Sequence, residues 1–378
     1  MDLTLTEDQE LIRRTARDVL GARAATAGVV AVAGEPAGHS AGLWKEMVGL
    51  GWTALAVPER YGGVGEGFPE ACLLVEEMGA AQVPSPFLVT VACCAPAIER
   101  HATAEQKAHW LGRVAEGRML TFARAAPAGG WGTEGSTVSA VRSGAGWTLD
   151  GVARFVPFGA AAEDLLVIAD VAGAGLTAFL VDAAAAGLGR ERLDVVGPNA
   201  EHDLTFTRVA VPAERVLGEV GGGAAVAATA AAFGAAATCA EMVGGAQRVL
   251  DASVEYAKQR EQFGRPIGSF QAVQHHCADM AIDVLTARFI AYEAVWRLTA
   301  PGQDAGEVAL TVATAKAWVS EAYQRVCALG HQVHGAIGFT GEHHLHRYLT
   351  HAMSAALAFG DGDHHTDRVA DLIGLPPA

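Results

Sequence analysis

The hydrophobic pattern changes period twice along the 378 residues. Up to about residue 118 apolar positions recur at helical spacing. "MDLTLTEDQELIRRTARDVL" reads as an amphipathic helix with a Thr/Asp cap, "VPERYGGVGEG" breaks the pattern, and "PEACLLVEEMGAA" resumes it. Between about 119 and 217 the period shortens. "STVSAVRSGAGWTLDGVARFV", "DLLVIADV", "LTAFLVD" and "HDLTFTRVAVP" are short alternating or β-rich runs bounded by Gly, Asp and Pro, which predicts strands. From Ala224 to Gly360 the helical period returns in long segments, broken at "GRPIGS", "APGQD" and "HGAIGFTGEH". The pattern predicts an α+β fold in α-β-α order: a helical part at 1–118, a β part at 119–220 and a helical part at 221–378. No repeat or low-complexity linker separates them, so the three are expected to pack as one body.

Composition refines this picture. Hydrophobic residues make up 51% and charged ones 18%, ample for a core and against disorder. Alanine runs such as "AAVAATAAAFGAAAT" predict closely packed helices. A formal net charge of -15 argues against a nucleic-acid backbone as partner. The opening residues read as a helix and not as a leader, and the apolar runs suit helix packing better than a bilayer; the expectation is a cytoplasmic protein without membrane contact. Six cysteines, Cys93 and Cys94 adjacent, lack CxxC spacing and read as reduced, mostly buried thiols.

No P-loop is present, and no GxGxxG lies between a strand and a helix; "GGVGEG" near residue 62 lacks the strand. A dinucleotide would be held another way. Its pyrophosphate needs a cation and close backbone donors. Arg260 ends a helix just before a Gly/Pro turn, and Gln332 with Gly335 to Gly338 offers an amide and a loop that backbone can use to approach a ligand. The plainer alternative is that Arg260 pairs with Glu255 or Glu261 and the glycines merely turn the chain.

Three segments in this order resemble the acyl-CoA dehydrogenase family: "VAVPAERVLGEVGGG" (Val209 to Gly223), "YAKQREQFGRPIGSFQAVQHHCADM" (Tyr256 to Met280) and "GHQVHGAIGFTGEHHLHRYL" (Gly330 to Leu349). The resemblance covers essentially the whole chain. It implies an N-terminal helical domain, a middle β-barrel-like domain and a C-terminal four-helix bundle. It implies FAD as cofactor, its ADP half reached by Arg260, Gln262, Phe263, Gln271, Gln332 and Gly335 from a neighbouring subunit, with Asp363 near the adenosine part. It also implies oxidation of an acyl-CoA to the 2,3-enoyl-CoA, an electron-transfer flavoprotein as acceptor, and either a homotetramer or an α2β2 assembly with a second chain of the same family, as in bacterial steroid side-chain breakdown.

The sequence departs from the family on the flavin-ring side. Where relatives carry a Thr-Glu-Pro-Gly-type loop, "FARAAPAGGWGTEG" keeps only Pro127 and glycines. Where they carry a Trp, a β-branched residue and a Thr or Ser, "RFVPFG" places Phe155, Val156 and Pro157, and a proline offers neither hydroxyl nor N–H. The family base is a carboxylate that takes the α proton and must be shielded from water. One family location for it falls on Asp361, followed by Gly362; the side chain is one methylene shorter than Glu, and a displacement on the order of 1 Å can cost ~100-fold in rate. The other falls at about Gly234, which has no side chain to serve. Glu241 lies seven residues further on, on the same face and ~10 Å along the axis. It is the only charged residue between Gly221 and Ala246. A lone carboxylate there is expensive unless paired or functional. It reads either as an ion pair with an arginine such as Arg248 or Arg288, or as the base, with the small residues around it widening a cavity. Of the two candidate bases Glu241 is favoured for its length and isolation.

Histidines 343, 344, 346, 351, 364 and 365 invite a metal reading, but no HExxH or comparable spacing appears, and the matching family regions hold no metal. Two alternatives to a self-sufficient dehydrogenase follow from the flavin-side departures. One is a catalytically degenerate partner subunit of an α2β2 enzyme; the other is a flavin oxidase or monooxygenase on the same fold.

Overall fold

The computed structural model describes residues 4–24, 37–124, 131 and 135–375. Helix α1 (Glu7–Ala24) begins at a reciprocal cap: Gln9 N donates to Thr6 Oγ1 at 3.2 Å and Thr6 N to Gln9 Oε1 at 3.0 Å. Helix α2 (Ala41–Gly49) is capped by Ser40, whose hydroxyl accepts from Leu43 N. The Pro/Gly break turns the chain at Gly62 and Gly65, both at positive φ, into α3 (Phe68–Ala81). A π-helical turn, Thr90–Cys94, leads into α4 (Ala95–His101), followed by α5 (Ala104–Ala115).

Helix α3 buries three carboxylates, and each has a polar partner. Glu70 accepts from Gln9 Nε2 at 2.7 Å, and Glu77 pairs with Arg17 at 2.7 Å. Glu76 pairs with Arg288 at 2.6 Å and accepts from Tyr292 OH at 2.5 Å. Pairing of this kind keeps a buried charge from being prohibitive.

The middle part is one eight-stranded mixed sheet: β1 (Leu120–Ala123), β2 (Val138–Ser143), β3 (Gly146–Pro157), β4 (Asp164–Val171), β5 (Gly175–Asp182), β6 (Leu188–Arg192), β7 (Glu201–Pro212) and β8 (Val216–Leu217). The order is β6-β7-β3-β2-β4-β5-β8, with β1 parallel to β4. Strands β4 and β5 are apolar on both faces because both are covered. Leu166, Ile168 and Leu180 join the core shared with the N-terminal helices, while Leu165, Val167 and Phe179 join a second core on the other side. Asp164, fully buried at the start of β4, accepts from Arg118 Nε at 2.5 Å and Arg215 Nη1 at 3.1 Å, clamping both ends of the sheet segment.

The C-terminal part is built around α6 (Gly223–Gln259), with a hairpin of β9 (Glu261–Gln262) and β10 (Arg265–Pro266), then α7 (Gln271–Thr299), α8 (Ala305–His334), α9 (Leu345–Leu357) and α10 (Gly362–Leu372). By length and composition α6 could cross a membrane, but 67% of its apolar window is buried within the protein, as expected of a core helix. Its small residues let neighbours touch it closely. A Cβ on Gly244 would overlap the backbone oxygen of Glu76, and one on Gly79 the backbone oxygen of Glu241, so α3 and α6 cross backbone to backbone. This corrects the expectation that small residues around Glu241 widen a cavity: they bring helices together instead.

Candidate active site

Glu241 sits where α3, α6, α9 and the loop between β6 and β7 meet. Its pocket is lined by Met78, Gln82, Val83, Pro198, Asn199 and His351, and its side chain keeps 15% of its surface exposed. Neither arginine expected as its partner is found there: Arg288 is taken by Glu76, and Glu241 lies 3.4 Å from His351 Nε2. His351 comes from the buried face of α9, where Leu345, Tyr348, Ala352 and Ala355 surround it at helical spacing.

The partners of His351 fix its tautomer. Gln82 Nε2 donates to Gly79 O at 2.7 Å, so its nitrogen is the atom 3.1 Å from His351 Nδ1. Tyr323 OH lies 3.2 Å from the same Nδ1. Nδ1 therefore accepts, and Nε2 lies on the Glu241 side, at the 3.4 Å contact distance of an ion pair and not of a short hydrogen bond. Gln82 reaches this position by ending α3 in the left-handed region, φ 53 and ψ 48, a conformation uncommon outside glycine. Burial pushes the Tyr323 phenol well above its usual range, so it stays a neutral donor. The arrangement is a carboxylate beside an oriented imidazole, in a small cavity that Pro198 and Asn199 help to line.

Asp361 serves differently. It is the exposed N-cap of α10, and its Oδ1 accepts from His364 N at 2.8 Å. Gly234, the other family position, is covered by the ring of Phe359; a Cβ there would overlap that ring.

The residues expected at the ADP half of the cofactor face solvent. Arg260 caps α6, and among the described residues no carboxylate pairs with it; Glu255 takes the Gln259 amide instead. Phe263 and Gly264, at φ 55 and 75, form the tip of the β9–β10 hairpin, and Phe263 is 93% exposed with its edge against Phe270. Gln262 and Gln271 are exposed on the same projection. Tyr256 stacks on His334 at 4.5 Å, which brings the end of α6 beside the end of α8, where Gln332 and Gly335 (φ 65) also face out. A cation, three amides and an exposed aromatic at one end of the bundle fit the pyrophosphate and adenosine of FAD. Asp363 lies apart: its neighbour Gly360 is tied to Lys316, sixteen residues and ~24 Å along α8 from Gln332.

The flavin-ring side offers less. Phe155 is exposed at φ 53, Val156 is buried, and the Thr121 hydroxyl is spent on Pro157 O at 2.5 Å. Pro127 lies outside the described residues. Opposite Pro157 in the sheet stands Glu201, missed in the sequence because nothing marks it locally; burial pushes its carboxyl up to about 7. His334, His343 and His344 lie ring against ring at 5.0 and 4.7 Å, but among the described residues no three His, Cys, Asp or Glu side chains are grouped to hold a metal.

A helical bundle packed on a sheet, with an exposed cation and amides at one end and a carboxylate in its interior, fits the class of flavin-dependent dehydrogenases, and the comparisons with known proteins show the family. Residues 6–118 match the family description "Acyl-CoA dehydrogenase, N-terminal domain", and residues 221–374 "Acyl-CoA dehydrogenase, C-terminal domain". The chain is 32% identical to the acyl-CoA dehydrogenase FadE27 of Mycobacterium tuberculosis over 341 residues, 89% of each chain. Among solved structures it is similar to the Tcur3481–Tcur3483 steroid ACAD (33% identity, TM-score 0.87, 98% of each chain). It is similar also to the ChsE4–ChsE5 complex of M. tuberculosis (30%, TM-score 0.90, 100% of each chain). The chain belongs to the acyl-CoA dehydrogenase family. It is an FAD-dependent acyl-CoA dehydrogenase or a subunit of one, and the comparisons favour this over the silent-partner and oxygen-using alternatives.

Proposed function

We propose that this chain is one subunit of a two-chain acyl-CoA dehydrogenase acting on a bulky acyl group such as a steroid side chain, with Glu241 as the base and an electron-transfer flavoprotein as acceptor. The observation that carries it is the Glu241–His351 pair at the pocket, set against Asp361, whose carboxylate is spent on a helix cap. The two-chain similarity of the steroid ACAD and ChsE4–ChsE5 structures supports the assembly. So do Arg260, Phe263 and Gln332, whose side chains are exposed on this chain.

In this reading Glu241 takes the α proton of the acyl-CoA. Bound FAD supplies the acceptor for the hydride leaving Cβ, so that two hydrogens leave and one C=C bond forms. His351 stands beside the carboxylate, its Nε2 3.4 Å from Oε2. Gln82 and Tyr323 hold the imidazole, and α3, α6 and α9 keep water off the pair. Arg260 and Gln332 would bind the diphosphate as a charge-assisted donor and an amide donor.

The test is the flavin-to-protein ratio and acyl-CoA turnover of the chain purified alone and co-produced with the family member encoded beside it. The reading expects little flavin alone, and bound flavin with turnover in the pair. One FAD per chain with full turnover by the chain alone would contradict the two-chain assembly.

A further inference from the structure

Helix α7 is apolar on two opposite sides. One is buried: Met280, Val284, Ala287, Ala291 and Leu298 face the bundle core. The other is not. Ile282, Leu285 and Phe289 are 61%, 54% and 52% exposed, and the exposed Ala278 and Trp296 extend the row at either end. At about 100° per residue, Gln271, Ala278, Ile282, Leu285, Phe289 and Trp296 fall within a sector of about 60°, and no charged residue shares it. The charges beside it are spent inside the chain: Asp283 holds Arg325 at 2.9 Å, and Arg288 holds Glu76 at 2.6 Å. Thr286 Oγ1 accepts from Trp318 Nε1 at 3.1 Å, which lays a further exposed indole beside the row.

The exposed faces of the flanking helices are polar, with Arg248, Asp251 and Glu255 on α6 and Glu321 and Gln324 on α8. A contiguous exposed apolar face marks a surface that another molecule covers, and a helix apolar all round is the pattern of one buried on both sides. Where the stripe starts shows what covers it. Gln271 opens it, and the hairpin tip beside Gln271 carries Phe263, almost fully exposed, with its edge against Phe270. In the two-chain assembly proposed above, these residues meet the ADP half of FAD on the neighbouring chain. A chain that receives them at one end of α7 lies along the same face as Ile282, Leu285 and Phe289.

We propose that this stripe is the surface on which the second acyl-CoA dehydrogenase-like chain of the complex lies, and that covering it loads the flavin. One contact buries Ile282, Leu285 and Phe289 and carries Gln271 and the hairpin tip to that chain's FAD. Leu285 and Phe289 stand ~21 and ~27 Å along α7 from Gln271, so flavin lost on changing them is lost through assembly. This rests on the two-chain assembly, and the experiment separates the two.

The pair is co-produced as wild type and with Leu285→Glu, Phe289→Glu, Phe289→Leu or Arg260→Ala in this chain. Mass is measured by light scattering after size exclusion, and flavin by absorbance of the same fractions. The proposal expects either glutamate substitution to weaken the pair about 30-fold or more, the scale of losing a central interface side chain, with flavin leaving in proportion. Phe289→Leu, which keeps the face apolar, retains both, and Arg260→Ala retains the pair while losing flavin. Leu285 and Phe289 are more than half exposed, so the glutamate variants fold. A collapsed melt of this chain alone would mean that the stripe packs within the chain, and would overturn the proposal. A pair that stays whole and yellow in both Leu285→Glu and Phe289→Glu overturns the stripe and leaves the two-chain assembly standing. A chain that assembles only with copies of itself overturns that assembly, and with it the occupant named here.

Discussion

Glu241 Oε2 and His351 Nε2 stand 3.4 Å apart, joined across 110 residues of sequence, and the imidazole's other nitrogen is held by Gln82 and Tyr323. With Nδ1 occupied, the imidazole turns Nε2 to the carboxylate and holds a fixed position beside it. Replacing it with a ring of similar size that cannot donate should leave the fold and spoil the chemistry. The contact is a 3.4 Å approach and not a short hydrogen bond, so about 0.5–1.5 kcal/mol is at stake, and His351→Phe should lower kcat about 2–10-fold with a small change in KM and unchanged flavin content. Steady-state kinetics on the complex check this.

The close crossing of α3 and α6 sets the height of Glu241 in its pocket. Gly244→Ala gains about 1 kcal/mol of helix propensity but drives a methyl into the Glu76 carbonyl, a backbone atom that cannot move alone. Overpacking of this kind costs about 1–3 kcal/mol or more, so denaturant melts should show net destabilisation. Gly21→Ala, in α1 with nothing within 4 Å of the added methyl, should instead stabilise by up to about 1 kcal/mol.

The corner that holds Phe359 should be sensitive to pH in two windows. Burial lowers His365 to about 4, helped by Lys316, His364 and Arg368, while the bond to Phe359 O opposes the shift. The unfolded chain therefore binds the proton first as pH falls, and the stability this group contributes above 6.5 is lost between 6.5 and about 4. Burial likewise lowers Lys316 to about 8, against the pull of Cys239 and Asp361. Between about 8 and 10.5 the unfolded chain holds the proton that the folded one has released, so this group's contribution rises with pH across that window. Each is worth up to about 3 kcal/mol. Melts of wild type against His365→Gln and Lys316→Met should differ in slope in the acid and the alkaline window respectively; parallel curves would refute the assignment.

Arg260 makes no ion pair within the described residues, so Arg260→Ala should leave thermal stability of the apo chain within about 0.5 kcal/mol. In the complex it should weaken FAD binding about 10–100-fold, the loss of a charge-assisted contact to a phosphate. Flavin fluorescence titration measures both halves of that statement on one preparation.

The three-part order was legible because period carries it: alternating runs from Leu120 to Leu217 lie between helical ones. The capped start of α1 and the Pro/Gly break at Gly62 are local chemistry and readable, although the sequence suggested a Thr/Asp cap and the structure pairs Thr6 with Gln9. The partner of Glu241 was not, because a buried charge is matched by packing and not by spacing. Arg248 and Arg288 were the near candidates in sequence, yet Arg288 is claimed by Glu76 from α3, and His351 arrives on a helix whose histidines suggested a metal. Alanines and glycines around Glu241 are ambiguous for the same reason. They permit either a void or a close crossing, and only the facing backbone of Glu76 decides. Asp361 was read as a base from its family position; its place before a helix, which makes it a cap, shows only in the structure, through the hydrogen bond from His364 N. Phe359, Lys316 and Gln82 carried no signal, since each acts through a backbone conformation or carbonyl that sequence pattern does not express.

The most direct test of the account is proton abstraction itself. In deuterated buffer, with the electron acceptor omitted, a working base exchanges the α hydrogen of the acyl-CoA. For the complex containing Glu241→Gln the account predicts a fall of about 10²–10⁴-fold in that exchange, with flavin content and thioester binding retained. Exchange at the wild-type rate in that variant, or its loss in Asp361→Asn instead, would contradict it.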